Sequence, residues 1–200
     1  MNATDLNRAI ASWTERYAQH ILLELTPPAS PVRAFHMKIE GQHIDSTLIL
    51  TTPEGVVIMG DLVPGGERAL VSIHATGLDW FLMTHNPEYL SQKFLTKEWI
   101  REDAIVELEG LLRDVRGDTV HGDGRDDDDC VLAFLLLIDK LRANDGDQND
   151  VIDVLNRYDF DEAHEFGMGY APEKVGHLAA LQRRFTDLFV EGPFMMGPHD

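Results

Sequence analysis

The chain has 200 residues, 44% of them hydrophobic and 26% charged, and its 35 acidic residues against 17 basic ones leave a formal net charge of −18. Such a composition is globular and long enough for one domain, and the charge excludes binding to nucleic acid or anionic membrane through a basic footprint. A single cysteine, Cys130, excludes an intramolecular disulfide and a Cys-based zinc site.

The first element is helical: Leu6, Ile10, Trp13, Tyr17 and Ile21 step by four, three, four and four residues, one face of a helix that Thr26-Pro27-Pro28 would end. Four strand-length runs follow, Val32–Glu40, Ile44–Thr52, Gly55–Met59 and Arg68–His74. Glu40-Gly41-Gln42, Pro53-Glu54-Gly55 and Pro64-Gly65-Gly66 separate them as turns. Connections this short join antiparallel neighbours, so a four-stranded meander is expected. Phe35, Met37 and Ile39 alternate with His36 and Lys38, which predicts one buried and one wetter face.

Helical spacing then returns over Tyr89–Phe94 and Lys97–Val115, and Cys130–Leu141 is apolar nearly all round, as suits a helix buried between other elements. Asp150–Leu155 is a shorter helix, and Pro172–Val190 closes the chain with Val175, Leu178, Leu181, Phe185 and Leu188 on one side. The expected fold class is therefore α+β: an N-terminal helix, a four-stranded antiparallel meander, then a C-terminal helical bundle of about four helices. Residues 1–200 read as a single domain, with a subdivision into 1–86 (helix plus sheet) and 87–200 (helical and acidic).

Charge follows that subdivision. Residues 1–100 hold 11 acidic and 7 basic residues, whereas 101–200 hold 24 and 10, and Asp114–Glu165 alone holds 16 and 5. The run Asp126-Asp127-Asp128-Asp129 stands just before the apolar helix, where carboxylates cap free N–H groups and favour the helix dipole. One or two carboxylates exhaust that role at about 0.3–1 kcal/mol each, so four leave a surplus for a cation, a partner or solubility. Asp145, Asp147, Asn149 and Asp153 have the alternation of a calcium loop, but Asp150 stands where the turn wants glycine and Asn156 where a bidentate Glu belongs. An acidic interhelical loop is the better reading.

Other chemistry is sparse. None of the nine histidines pairs at helical i,i+4 spacing or in an H-E-x-x-H pattern, and His36 and His43 read as a solvated cross-strand pair. A Ser72/His74/Asp61 triad conflicts with antiparallel order, which puts Asp61 and His74 at opposite ends of their hairpin. Structural roles follow: Asp61 as a turn acceptor, Trp80-Phe81 as core anchors. No nucleophile elbow, Walker loop or dinucleotide motif is present, so no catalytic residue, metal or cofactor is assigned. The N-terminus lacks a basic leader with an apolar run, and the longest apolar stretch, Cys130–Ile138, is nine residues. A bilayer helix needs about twice that, so a cytoplasmic protein is expected.

Val56-Val57-Ile58-Met59-Gly60-Asp61-Leu62, then Leu78-Asp79-Trp80-Phe81, Glu88-Tyr89-Leu90-Ser91-Gln92-Lys93-Phe94-Leu95, Lys97-Glu98-Trp99 and the closing Leu178–Phe185 segment form an ordered set of words. In these the chain resembles a family of uncharacterised accessory proteins of bacteriophages and prophages, over about Ile44–Val115 and Pro172–Phe189. The resemblance implies a mobile-element setting in a bacterial host and no reaction. With the charge, it leads to the expectation of a binding protein that inhibits or modulates a nucleic-acid-handling or defence complex, of CRISPR or restriction type. Its acidic, DNA-mimic-like surface would engage a basic host protein surface. The contact residues expected are Asp123, Asp126, Asp127, Asp128 and Asp129, with Asp145, Asp147, Asp150 and Asp153 as a second strip. Two alternatives stay open: clustered carboxylates holding Mg²⁺ or Ca²⁺ for phosphoester chemistry, and a structural or homo-oligomerising module using the C-terminal helix and the Phe194-Met195-Met196 tail as an apolar contact.

Overall fold

The computed structural model describes residues 3–42, 44–73, 77–117, 127–191 and 195–196. The fold class is α+β. Two compact units make it up: Met1–Thr96 with Tyr170–Asp200, and Lys97–Gly169.

The first unit opens with α1 (Ala3–Tyr17), followed by β1 (His20–Glu24), β2 (Arg33–Ile39), β3 (Thr47–Thr52), β4 (Gly55–Gly60) and β5 (Ala69–Ser72). These five strands pair antiparallel in the order β5-β4-β3-β2-β1, and β8 (Met195–Met196) joins β1 in parallel. The meander thus has one strand more than its turns predict. The extra strand comes from the end of the expected first helix, which stops at Tyr17. In His20–Glu24, His20, Leu22 and Glu24 are buried in alternation and pair with Ile39, Met37 and Phe35. A two-residue period and a partner strand override the four-residue steps that carried the helix to Ile21.

Register stacks the buried side chains in rows: Glu24, Phe35, Ile49, Ile58 and Leu70 in one, with Leu22, Met37 and Thr47 alongside. Helices α1, α2 (Gly77–Met83) and α7 (Pro172–Glu191) supply the opposing layer, with Tyr17, Phe81, Leu178, Leu181 and Phe185 in the same core. Phe81 is fully buried and Trp80 partly so, against Tyr89 and Phe94 of α3 (Pro87–Phe94). Asn86 caps α3, its side chain accepting from the Glu88 and Tyr89 N–H groups. Helices α1 and α7 cross at Gly176, where an added Cβ would lie 2.5 Å from the Ala9 Cβ and 2.8 Å from the Ile10 nitrogen. Only glycine permits that approach.

The charged group in this core is Glu24, 2% exposed. Its Oε1 accepts from Arg33 Nε and Nη2, each at 2.8 Å, and the Arg33 guanidinium lies over the Phe35 and Phe189 rings.

The second unit contains β6 (Glu98–Trp99) paired with β7 (Met168–Gly169), and helices α4 (Arg101–Gly117), α5 (Asp127–Arg142) and α6 (Gln148–Arg157). Its separate core joins Ala104, Leu108 and Leu112 of α4, Phe134, Leu137, Ile138 and Leu141 of α5, and Val151 and Leu155 of α6. The helices after residue 86 therefore do not share one core: α3 and α7 pack with the sheet, α4 to α6 with one another. The apolar surface of α7 is spent against α1 and the strands.

Candidate functional site

The strongest concentration of unbalanced charge coincides with the second unit, which has 21 acidic and 8 basic residues in its sequence. Its central helix, α5, carries more apolar residues than one face can bury. Phe134, Leu137, Ile138 and Leu141 turn into the core, while Leu132, Leu135 and Leu136 are 55%, 37% and 61% exposed. The expectation of a helix buried between other elements is corrected here: among the described residues, α5 is covered on one side and exposes Leu132, Leu135 and Leu136 on the other. Leu132 and Leu136 are four residues apart and Leu135 sits between them, so the three form one stripe.

Carboxylates stand at both ends of that stripe. Asp127, Asp128 and Asp129 form the first turn of α5, and Asp129 is exposed. The Tyr158 hydroxyl donates to the Asp129 carbonyl at 3.2 Å, fixing this end of α5 against the end of α6. Eleven residues further along α5, about 16 Å at the helical rise, Lys140 Nζ meets Asp150 Oδ1 at 2.6 Å. The bond holds the Asp150 carboxyl below its usual range, helped by the Asp147 backbone N–H, and holds the Lys140 ammonium above its own. Asp145 and Asp147 are exposed around this end, and Asp153 is exposed midway along α6. Asp123 and Asp126 lie outside the described residues. Asp127 to Asp129 and the Asp145, Asp147 and Asp150 group thus stand at opposite ends of the α5–α6 pair, with leucines and Asp153 between them.

The loop between α5 and α6 is built by capping. Asp147 accepts from the Asn149 and Asp150 N–H groups at 2.9 and 3.2 Å, and Asp150 Oδ2 accepts from the Asp147 N–H at 2.9 Å. This reciprocal capping box commits the same carboxylates that gave the loop its calcium-like alternation. Arg101 braces the loop through the Asn144 side chain and the Gly146 carbonyl. Asp150 and Asp153 also line a shallow cavity of about 330 Å³ between α5 and α6, with Leu136, Leu137, Lys140 and Arg157. Among the described residues, no group of three or more His, Cys, Asp and Glu converges as metal ligands would.

The first unit has a cavity of about 400 Å³, lined among others by Trp13, Arg16, Asp61, Lys174 and His177. The His177 ring stacks on Trp13, with 3.4 Å between centroids, and its Nε2 shares a 2.7 Å hydrogen bond with the Tyr17 hydroxyl. Burial, assisted by the Arg16 charge, lowers the His177 imidazole to about 3, so the ring is neutral near pH 7. Burial raises the Tyr17 hydroxyl, which stays protonated. A neutral, stacked imidazole beside a protonated phenol fills and satisfies a core. Of the triad weighed from sequence, Asp61 lines this cavity, Ser72 is buried on β5, and His74 lies outside the described residues, as does His43.

Sequence reasoning missed the leucine stripe. Its signal in the sequence is an apolar run too continuous for one helix face, a pattern that burial on every side would also produce. No protein-family model, characterised protein or solved structure matches this chain. Among the described residues no helix is long and apolar enough to cross a membrane.

Proposed function

We propose that this chain is a bacteriophage or prophage accessory protein that acts in the bacterial cytoplasm by binding. Its second unit docks on a basic surface of a host nucleic-acid-handling or defence complex, of CRISPR or restriction type, and blocks that surface. The observation that carries this reading is the stripe Leu132, Leu135 and Leu136, left in water on a helix that opens with Asp127-Asp128-Asp129. Exposed leucines cost solubility, and a net charge of −13 over the second unit opposes self-association through that stripe. A basic partner resolves both. Carboxylates at the two ends steer encounter, and the leucines are buried on arrival as the anchor of the contact.

The assignment divides the work among the acidic residues. Asp129, Asp145 and Asp153, with Asp123 and Asp126 to Asp128, provide field and rim contacts. Asp147 and Asp150 hold the loop through capping and the Lys140 pair.

Capture from a bacterial lysate with the full-length chain, at about 50 and 500 mM salt, tests the reading, because rim electrostatics are screened within about 10 Å at 0.1 M salt. The expected catch is a nucleic-acid-binding protein whose retention falls at high salt, and is lost for Leu132→Ser/Leu136→Ser. A partner retained equally by that variant and by one with Asp129, Asp145 and Asp153 changed to Asn would sink the proposal.

A further inference from the structure

Among the described residues, the helices of the first unit pack on one face of the sheet, and the side chains of the other, open face are partly or fully exposed. On the open face the register aligns Leu23, His36, Leu48, Met59 and Ala69 in one row. Ala34, Leu50, Val57 and Val71 make the next. None of these nine is buried, and Val71 is 55% exposed. An antiparallel sheet with one side in water ordinarily alternates apolar with polar residues, so that its outer face is wettable. Here the alternation is apolar with apolar: in β3, Leu48 and Leu50 point away from the core that Ile49 enters.

Charge is distributed with equal bias. The chain has 35 acidic residues, yet no carboxylate occupies the open-face positions of β1 to β5, where the ionisable groups are His36 and Lys38. Burial and the Lys38 charge lower the His36 imidazole below its usual range, which favours the neutral ring. Lys38 pairs with Ile21 on the margin of the two apolar rows. Five strands spaced about 4.8 Å apart, each about five residues long at 3.3 Å per residue, give a face on the order of 400 Å² in projection. That is the size of the largest apolar patch on a typical monomer, which is often functional.

We propose that this open sheet face is a homodimer interface, on which a second copy of the chain packs sheet against sheet. A two-fold contact places the same patch against itself and so requires a patch without self-repulsion. Absence of carboxylates from this face supplies that in a chain otherwise strongly negative. Two twisted sheets stack about 10 Å apart with their inner side chains interdigitated, and Leu, Val and Met rows suit that arrangement. A basic partner gains nothing from an apolar face, and an anionic membrane would meet the chain's acidic field. The two faces together reach about 800 Å² in projection, more once their corrugation is counted. That is below the roughly 1,200–2,000 Å² of standard specific interfaces and in the range of transient contacts, so the dimer is weak, reversible and dependent on concentration.

Sedimentation velocity of the full-length chain from about 1 to about 200 µM reads this directly. A monomer-to-dimer shift is expected within that range, weakened at least about tenfold by Val71→Glu and by Leu48→Lys, with the thermal midpoint of Val71→Glu unchanged. Leu132→Ser/Leu136→Ser leaves the shift in place. A monomer throughout, or a dimer insensitive to both sheet substitutions, overturns the proposal. Loss of the dimer on changing the α5 leucines, or on truncation after Gly192, moves the interface elsewhere and overturns it equally. Co-sedimentation of the monomer with phosphatidylglycerol vesicles, abolished by Val71→Glu, would replace the second copy with a lipid surface.

Discussion

The two units use charge in opposite ways. The sheet unit, with 14 acidic and 9 basic residues in its sequence, draws several charges inward. Glu24 is buried against Arg33, and Arg184 donates to the carbonyls of Ala18 and His20 at the α1–β1 turn. The helical unit has little more than half as many residues and carries 21 acidic and 8 basic ones, and its ion pairs, Arg142 with Glu109 and Lys140 with Asp150, lie at the surface. Surface pairs contribute about 0–1 kcal/mol, so the acidic excess of the helical unit is not what holds it together. Its apolar core is. The excess is therefore free to serve recognition, whereas the sheet unit binds Glu24, Arg33 and Arg184 into its fold and keeps Arg8–Asp5 and Arg16–Asp45 as surface pairs.

The largest test of that separation is Phe134→Ala, which empties the centre of the helical core and should cost about 3–5 kcal/mol. Hydrogen exchange on the full-length chain should show the loss confined to residues 97–169, with the β2–β4 amides still protected. Equal loss of protection in both units would show that they unfold as one, and would break the comparison. Next in size is the contrast between buried and surface pairs. Arg33→Met leaves the Glu24 carboxylate buried without its partner and should cost about 3 kcal/mol, most of which Glu24→Met in the same chain recovers. Lys140→Met, at an exposed pair, should cost far less than Arg33→Met. Urea unfolding of the three variants checks this, and equal costs for the two single substitutions would refute it.

A smaller effect separates the units by pH. The His177 imidazole takes up a proton near its ordinary 6.5 when unfolded, but not until about 3 when folded. Between those values the unfolded chain binds the extra proton, so stability is full above pH 6.5 and falls as pH drops through the window. The slope from this group is at most about 1.4 kcal/mol per pH unit. His20 and His36 of the same unit are displaced in the same direction by burial. Replacing His177 by Gln should flatten the decline of sheet-unit stability between pH 6.5 and 5. An unchanged slope would show that carboxylate titration, and not the buried imidazole, governs it.

How far these features could be read in advance depended on whether local pattern or distant partners decided them. The strands β2 to β5 were legible because alternation and tight turns such as Gly41, with its φ of 77°, are local. β1 was not, since Leu22-Leu23-Glu24-Leu25 is equally compatible with a helix until β2 offers it a register. α2 escaped because its seven residues are too few to show a period. The acidic strips were legible as composition, yet their separation along α5 required the antiparallel placement of α6. Which carboxylates are structural was partly visible: Asp147 and Asp150 have the i,i+3 spacing of a capping box, but the calcium-like alternation competed with it. The open sheet face was hidden for the opposite reason, because Leu48 and Leu50 satisfy a strand pattern whichever face is covered.

The smallest predicted effect is the most discriminating for the helical unit, since it divides one acidic strip into two kinds of residue. Asp147→Ala removes acceptors for two N–H groups at the start of α6 and should cost about 1 kcal/mol, the usual worth of an N-cap. Asp147→Asn should retain most of that stability, because an amide oxygen accepts as well as a carboxylate does. Asp145→Ala and Asp153→Ala remove exposed carboxylates with no structural duty assigned to them and should stay within about 0.5 kcal/mol of the parent chain. Thermal unfolding followed by circular dichroism measures all four. If Asp145→Ala and Asp153→Ala are as costly as Asp147→Ala, the acidic excess is part of the scaffold. The recognition role then loses its physical basis. If they are neutral or stabilising, as relief of like-charge repulsion predicts, their presence has to be explained by something outside the fold.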